Sequence, residues 1–524
     1  LKPGIAETLE SAPAEERAQS GDGADVGAHL SWNYVRHAGA YGLAFVTSVM
    51  LARCLGPGDF GVYVGAFATA SFLAMLISLG LEGSSVILVP KLDSAGDKQA
   101  LGNLLKAILC LRLAAFALLA IGGALGFTLG WLKIPEPALA WRPWTALGIY
   151  GALALGLSMV DLGSAILNGL FRFRALCLLD IVFSLVTLAV VGGAAYAGVD
   201  VRRVVILAAA VKLVSCIAYI GTFATEFRCV SGWPDLKRLI HSSASLWGIR
   251  VLGYSLGPAK DVLLLGLLTR DAAQAAYYSV AIRAVDILSN LLTLGFGGVA
   301  QPYFSRLAEA GGRRELVGGW GQFMAFQITT SLVPIGYVIA QGGNLLQFVY
   351  SSRYSQSGEI LLVAALFILL NDGILGGGVS NKVIFGLEKN RLAVFFMSIA
   401  GAVNIALAFV LIPSQGALGA VVASGLAMLV WRGMEISYTM RLLRMAYPWR
   451  PVARLLACTL PAILASKTLG SNLLVGSLAY GVVALSLATL LKPIDAQVLL
   501  VLRGCPPVLV KVLSKFSQPQ RSDD

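Results

Sequence analysis

Apolar stretches too long for the core of a soluble protein dominate this sequence. They run near 33–54, 60–82, 106–130, 144–170, 176–198, 203–225, 246–268, 274–300, 322–350, 359–384, 392–412, 416–438, 452–468 and 472–491. Crossing hydrocarbon takes about 20 mainly apolar residues. In lipid every backbone N–H and C=O must be satisfied internally, and these runs are too long for barrel strands, so each reads as a helix. Only 13% of the 524 residues are charged, against about 25% in soluble domains. A soluble chain of this size could not leave so little polar surface. The fold class is therefore an all-α polytopic membrane protein of about 14 spans by that length rule.

Charge sets the orientation. With the N-terminus in the cytoplasm, the cytoplasmic loops hold roughly twice as many Lys and Arg as the opposite loops, as the positive-inside rule requires. The net charge of +12 then belongs to membrane orientation and anionic headgroups. No basic run with interleaved aromatics lies outside the apolar segments, so a nucleic-acid partner is not expected. The seven Cys are scattered, without CxxC or a Cys/His cluster, which argues against structural disulfides and a metal site.

The domain reading is a polar, disordered cytoplasmic tail over 1–28, a lobe of six helices over 29–225 and a cytoplasmic linker over 226–245. A second lobe of six helices follows over 246–440, with two further helices within 441–494. Residues 495–524 form an amphipathic cytoplasmic tail, in which Pro506 and Pro507 interrupt a Leu/Val run carrying Arg and Lys. No cleavable signal segment precedes the first long run. No loop could hold a catalytic domain, so the chain is not expected to be an enzyme.

The two lobes show traces of duplication. GVYVGAFA (61–68) matches AYYSVAIR (276–283), and NGLFRFR (168–174) matches FGLEKNR (385–391). AGVD (197–200) faces QGAL (415–418). The offset stays within 215–218 throughout. Six helices per unit start both halves on one side of the membrane, giving parallel repeats, an architecture of alternating-access transporters. The turn in LARCLGPGDFGVY (51–63) is expected only to reverse the chain between the first two spans.

LARCLGPGDFGVY, YYSVAIR with QPYFSRL (277–307), FGLEKNR and LIPSQGALGAVVAS (411–424), in this order, resemble the Wzx-like polysaccharide flippases of the MOP superfamily. The resemblance implies two six-helix lobes around a V-shaped cavity, and two appended helices. It implies movement of an undecaprenyl-pyrophosphate-linked oligosaccharide from the inner to the outer leaflet of a bacterial inner membrane, for exopolysaccharide, capsule or O-antigen synthesis. A polymerase and a chain-length regulator are the further partners it suggests, besides membrane lipids. The arginine pattern of MurJ-like lipid II flippases and the ion-site signature of MATE exporters have no recognisable match here, although both remain the alternative readings. A membrane glycosyltransferase or polymerase would need a large outer loop or an acidic metal motif, and neither is present. A scaffold of a secretion complex stays open.

A charge at mid-bilayer costs at least ~2.5–3.5 kcal/mol, so it marks a pair or a wet path. Helix seven carries Arg250, Lys260 and Asp261 around Gly257-Pro258, where a kink is expected because proline removes a backbone hydrogen bond. Helix eight adds Arg283 and Asp286, helix one Arg36, and helix ten Lys382. The functional reading gives the pyrophosphate and sugar cavity to Arg36, Arg250, Lys260, Arg283 and Lys382, since guanidinium and ammonium groups bind phosphate oxygens strongly. The bland reading has each charge paired locally or snorkelling, with Arg283–Asp286 and Arg432–Glu435 as internal ion pairs. Asp261 and Asp286 are the coupling candidates for a proton or sodium ion; the membrane potential alone is the third driving force. No cofactor is expected.

Overall fold

The structure, a computed structural model, describes residues 22–129, 143–229, 232, 236–293, 303–305, 307, 313–470, 472–492 and 516. Among these the regular elements are helical and no strand occurs. The order is α1 Asp22–Ser78, α2 Leu81–Ser94, α3 Lys98–Thr128, α4 Pro143–Gly169, α5 Phe173–Tyr196, α6 Val201–Gly221, α7 Leu236–Leu256 and α8 Pro258–Leu268. It continues with α9 Ala272–Thr293, α10 Arg313–Tyr350, α11 Gln356–Ile374, α12 Val379–Gly386, α13 Asn390–Gln415, α14 Ala417–Leu443, α15 Trp449–Leu469 and α16 Leu473–Leu491. Among the described residues 11 helices are long and apolar enough to cross a membrane, or up to 12 if the bent pair is one span. The expected 14 is not confirmed among the described residues. One reason is that Gly39–Ser78 counts once, although 40 residues of unbroken helix would measure about 60 Å, twice the hydrocarbon thickness.

That helix breaks at Gly56, whose φ of 75° and ψ of 174° leave the helical region, and Pro57 follows. Glycine alone takes this conformation without a Cβ clash. The turn does more than reverse the chain. Arg53 donates from Nε to the Val349 carbonyl and from Nη2 to the Phe348 carbonyl, both at 2.7 Å. It thereby caps the last turn of α10, where unsatisfied carbonyls gather. Tyr354 donates to the Ala52 carbonyl at 3.0 Å. Gly61 lies so close to the Ala272 carbonyl that a Cβ would stand 1.8 Å from its oxygen.

The chain divides into two compact units. The first comprises 1–50, 73–132 and 147–247; the second comprises 51–72, 133–146 and 248–524. The units are thus not sequential lobes: the arm after Met50 groups with the second through the Arg53, Gly61 and Tyr354 contacts. The first unit has a core of Leu81, Leu105, Ile108, Leu162, Ile166 and Phe223. The second is built on α10, with Trp320, Met324, Ile328 and Leu332 against Val379, Val383, Ile436 and Leu455. α15 and α16 pack on α10, where the Tyr480 hydroxyl donates to the Val333 carbonyl at 2.5 Å. On the outside of α16, Leu474, Leu478, Val482 and Leu485 are all more than half exposed. This stripe at helical spacing has only lipid to cover it.

Duplication is visible in the element boundaries. Lys98 and Arg313 open α3 and α10, Phe173 and Asn390 open α5 and α13, and Val201 and Ala417 open α6 and α14, each pair at the offset seen in the sequence. The turns before α5 and α13 share an unusual conformation. Phe171 and Glu388 have positive φ, 54° and 57°. Phe171 N–H donates to the Asn168 carbonyl and Glu388 N–H to the Phe385 carbonyl, at 3.2 and 2.9 Å.

Several expectations shift. The tail assigned to 1–28 is helical from Asp22, and the linker over 226–245 becomes helical at Leu236. The amphipathic tail at 495–524, and the end of the span drawn to residue 300, lie outside the described residues apart from Phe516. Helix seven is not merely kinked. Gly257 is extended (φ −87°, ψ 159°), Pro258 opens α8, and the two arms are bent by 58°.

Candidate functional site

Three helix faces meet in the first unit. On α1, Arg36, Ala40 and Ala44 recur at i, i+4, i+8. On α5, Asp180, Phe183, Ser184 and Thr187 recur at i, i+3, i+4, i+7. On α6, Lys212, Ser215 and Tyr219 do the same at i, i+3, i+7. Such spacing puts each set on one side of its helix. Together with Tyr41 and Val160 they line a cavity of about 280 Å³.

Its charges are not equivalent. Arg36 is ion-paired with Asp180 through Nε and donates from Nη2 to Ser164 Oγ at 3.2 Å. The Tyr219 hydroxyl donates to the other Asp180 oxygen. Asp180 is thus saturated, and the Arg36 charge is largely neutralised. Lys212 is different. Its ammonium makes no hydrogen bond or ion pair among the described residues, and Asp161 and Asp180 act on it only through space. It sits in the middle of an apolar 21-residue helix, where a charge is costly without water or a ligand. Ser184, Thr187 and Ser215 also line the cavity; the Thr187 and Ser215 hydroxyls donate within their own helices, to the Phe183 and Val211 carbonyls at 2.6 and 2.8 Å.

The other expected site residues lie in the second unit. Lys260 is buried, with Nζ 2.6 Å from Asp261 Oδ1 and 2.8 Å from Asn404 Oδ1. The other Asp261 oxygen accepts from Tyr278 and Ser424, both at 2.6 Å. Lys260 and Asp261 are only 6% and 1% exposed. Lys260 and Asp261, expected as a cavity cation and a coupling acid, thus meet each other within the packing, and the carboxylate takes the ammonium's charge.

Arg250 is half-buried on α7, and Arg283 and Asp286 are exposed on α9, where Arg283 acts electrostatically on Asp286 and Tyr63. Lys382, half-buried on α12, adjoins the Arg432–Glu435 pair. That pair is structural: Arg432 Nη1 lies 2.8 Å from Glu435 Oε2, Asn381 donates to the other oxygen at 2.5 Å, and Arg432 stacks on Trp431.

Sequence reading counted Asp180 only among the intramembrane acids that could bind an ion, and passed over Lys212 and the buried Arg112–Glu82 pair (2.7 Å) entirely. The signal was present. KLVSCIAY and DIVFSLVT each carry a polar stripe at helical spacing through an otherwise apolar run.

With this geometry in hand, relatives can be compared. A family profile described as "Polysaccharide biosynthesis protein" matches residues 26–308, more than half of the chain. The chain belongs to this family. The succinoglycan biosynthesis transport protein ExoT of Rhizobium meliloti (strain 1021) is 39% identical over 59 residues, which span 11% of this chain and 12% of that protein. The chain thus matches about an eighth of the length of that curated relative. Among solved structures, the lipid II flippase MurJ in an inward closed conformation superposes with a TM-score of 0.68 at 13% identity, over 88% of this chain and 98% of that one. A multidrug resistance MATE family transporter of the MOP superfamily, inward-facing, gives 0.61 at 12% identity, over 79% and 98%. This family member therefore has the MOP transporter fold. It is a multi-pass membrane protein by the length and apolarity of its helices, and it shares its fold with those two transporters.

Proposed function

We propose that the protein is a flippase that carries a lipid-linked oligosaccharide across the bacterial inner membrane by alternating access, with both termini cytoplasmic. The carrier is an undecaprenyl pyrophosphate, and the product feeds exopolysaccharide, capsule or O-antigen synthesis. One observation carries this reading most: a cavity among the candidate spans of the first unit holds an ammonium, Lys212, with no hydrogen-bond or ion-pair partner among the described residues, beside serine and threonine oxygens able to accept from sugar hydroxyls. An anionic head supplies the missing counter-charge, and charge-assisted hydrogen bonds to phosphate are strong. A cavity of two cations and one already saturated carboxylate does not suit a cationic drug. Arg250, Arg283 and Lys382 are the second unit's candidate cations for an anionic head.

The driving force is either the membrane potential, worth ~2.3 kcal/mol per charge per 100 mV, or an ion taken up at Asp286. Gly257-Pro258 is the hinge. The test uses cells whose own flippase is deleted. Lys212→Gln is expected to cut polymer export at least tenfold and to leave the lipid-linked precursor in the inner leaflet, with Lys212→Arg retaining much of the export. Wild-type export by the Gln variant would remove the cavity from the mechanism.

A further inference from the structure

The second unit carries a cluster of cations that the transport reading does not use. Arg441, Arg444 and Arg450 flank the short connection from α14 to α15, and all three are exposed. None forms an ion pair among the described residues. Residues 436–494 contain no Asp or Glu at all, so no neighbour along this stretch can neutralise them.

The connection also has a shaped recess. Tyr447, Trp449 and Arg450, with Pro448 and Pro451, face Gly321 and Ala325 of α10 around a cavity of about 410 Å³. Pro448 and Pro451 restrict the backbone on either side of Trp449. Tyr447 is anchored by donating its hydroxyl to the Ile374 carbonyl, and burial pushes its phenol up to about 12, so it stays a donor. Its ring packs 4.5 Å from Trp449, which is 64% exposed. A Cβ on Gly321 would meet nothing within 4 Å, so the floor is open.

Depth follows from helix length. α10 has 38 residues, about 57 Å of helix against a hydrocarbon core of about 30 Å. With α10 centred on the hydrocarbon core, Gly321, about 12 Å from its start, falls at headgroup level. The α14–α15 connection joins two spans at that same level, and Arg313 at the start of α10 donates to the Leu443 carbonyl at 2.8 Å. Tryptophan and arginine together at this depth are membrane-interface residues.

We propose that this recess is a specific site for the headgroup of an anionic phospholipid of the cytoplasmic leaflet, of the phosphatidylglycerol type. The phosphate sits among Arg441, Arg444 and Arg450, and the glycerol end enters the recess over Gly321 against Trp449. The site is independent of the transported substrate.

The test titrates purified, delipidated full-length protein with phosphatidylglycerol or phosphatidylcholine and counts bound lipid by native mass spectrometry. One phosphatidylglycerol is expected to bind at least tenfold tighter than phosphatidylcholine. Neutralising the three arginines (R441Q, R444Q and R450Q together) should weaken it about a hundredfold, at about fivefold per charge. Gly321→Leu leaves every charge in place and fills the recess, and should abolish the preference. Equal binding of the two lipids overturns the proposal. So does a Gly321→Leu protein with wild-type preference, which would reduce the effect to diffuse charge. Stoichiometric displacement by a polyprenyl diphosphate would assign the recess to the substrate instead.

Discussion

Lys212 and Lys260 are both lysines within membrane helices, yet the two units treat them oppositely. In the second unit, Lys260 meets a carboxylate, an amide and, through Asp261, two hydroxyls, and the group is sealed from solvent. In the first, Lys212 opens into a cavity, and the nearby Asp180 is already occupied by Arg36 and Tyr219. The residue type is the same, and what differs is whether the counter-charge is built in. A cation with a resident partner holds helices together; one without a partner awaits a ligand.

The largest effect should come from breaking the sealed pair. Lys260→Met leaves Asp261 buried and uncompensated, which costs about 3–5 kcal/mol. It should lower the thermal midpoint and yield of the purified protein, and Lys260→Met/Asp261→Asn should recover most of the loss. A Lys260→Met protein of wild-type stability but lacking export would return Lys260 to the transport path. Lys212→Gln should do the reverse, cutting export at least tenfold with little change in thermal midpoint, as read by export and unfolding on the same preparation.

Smaller effects sharpen the division into units. Arg53→Met removes the cap on α10 and should cost about 1 kcal/mol, seen as a drop in thermal midpoint without altered membrane insertion. The smallest concerns the duplicated turns. Phe171→Gly and Glu388→Gly each relieve a side chain held at positive φ and should each stabilise by up to about 1 kcal/mol. Opposite signs for the two would show that the turns are not equivalent.

Much of the fold was legible because lipid imposes a simple rule. Apolar length locates spans, and the recurrence of NGLFRFR as FGLEKNR matches a turn that also recurs in its hydrogen bonds. The site was less legible. Arg36 was recognisable as a charge in a span, but its pairing with Asp180, 144 residues away, could not be read from spacing. Lys260 stood next to its partner in the chain, yet adjacency along a helix does not ensure contact, so only packing revealed the pair. The break at Gly257-Pro258 was foreseeable because proline cannot donate the required bond.

Sequence by itself determined that the chain is a helical membrane protein with an internal repeat, since hydrophobic length and periodicity act locally and lipid allows few alternatives. Only the tertiary structure decided which intramembrane charges are already satisfied, because neutralisation depends on atoms brought within a few ångströms from distant helices.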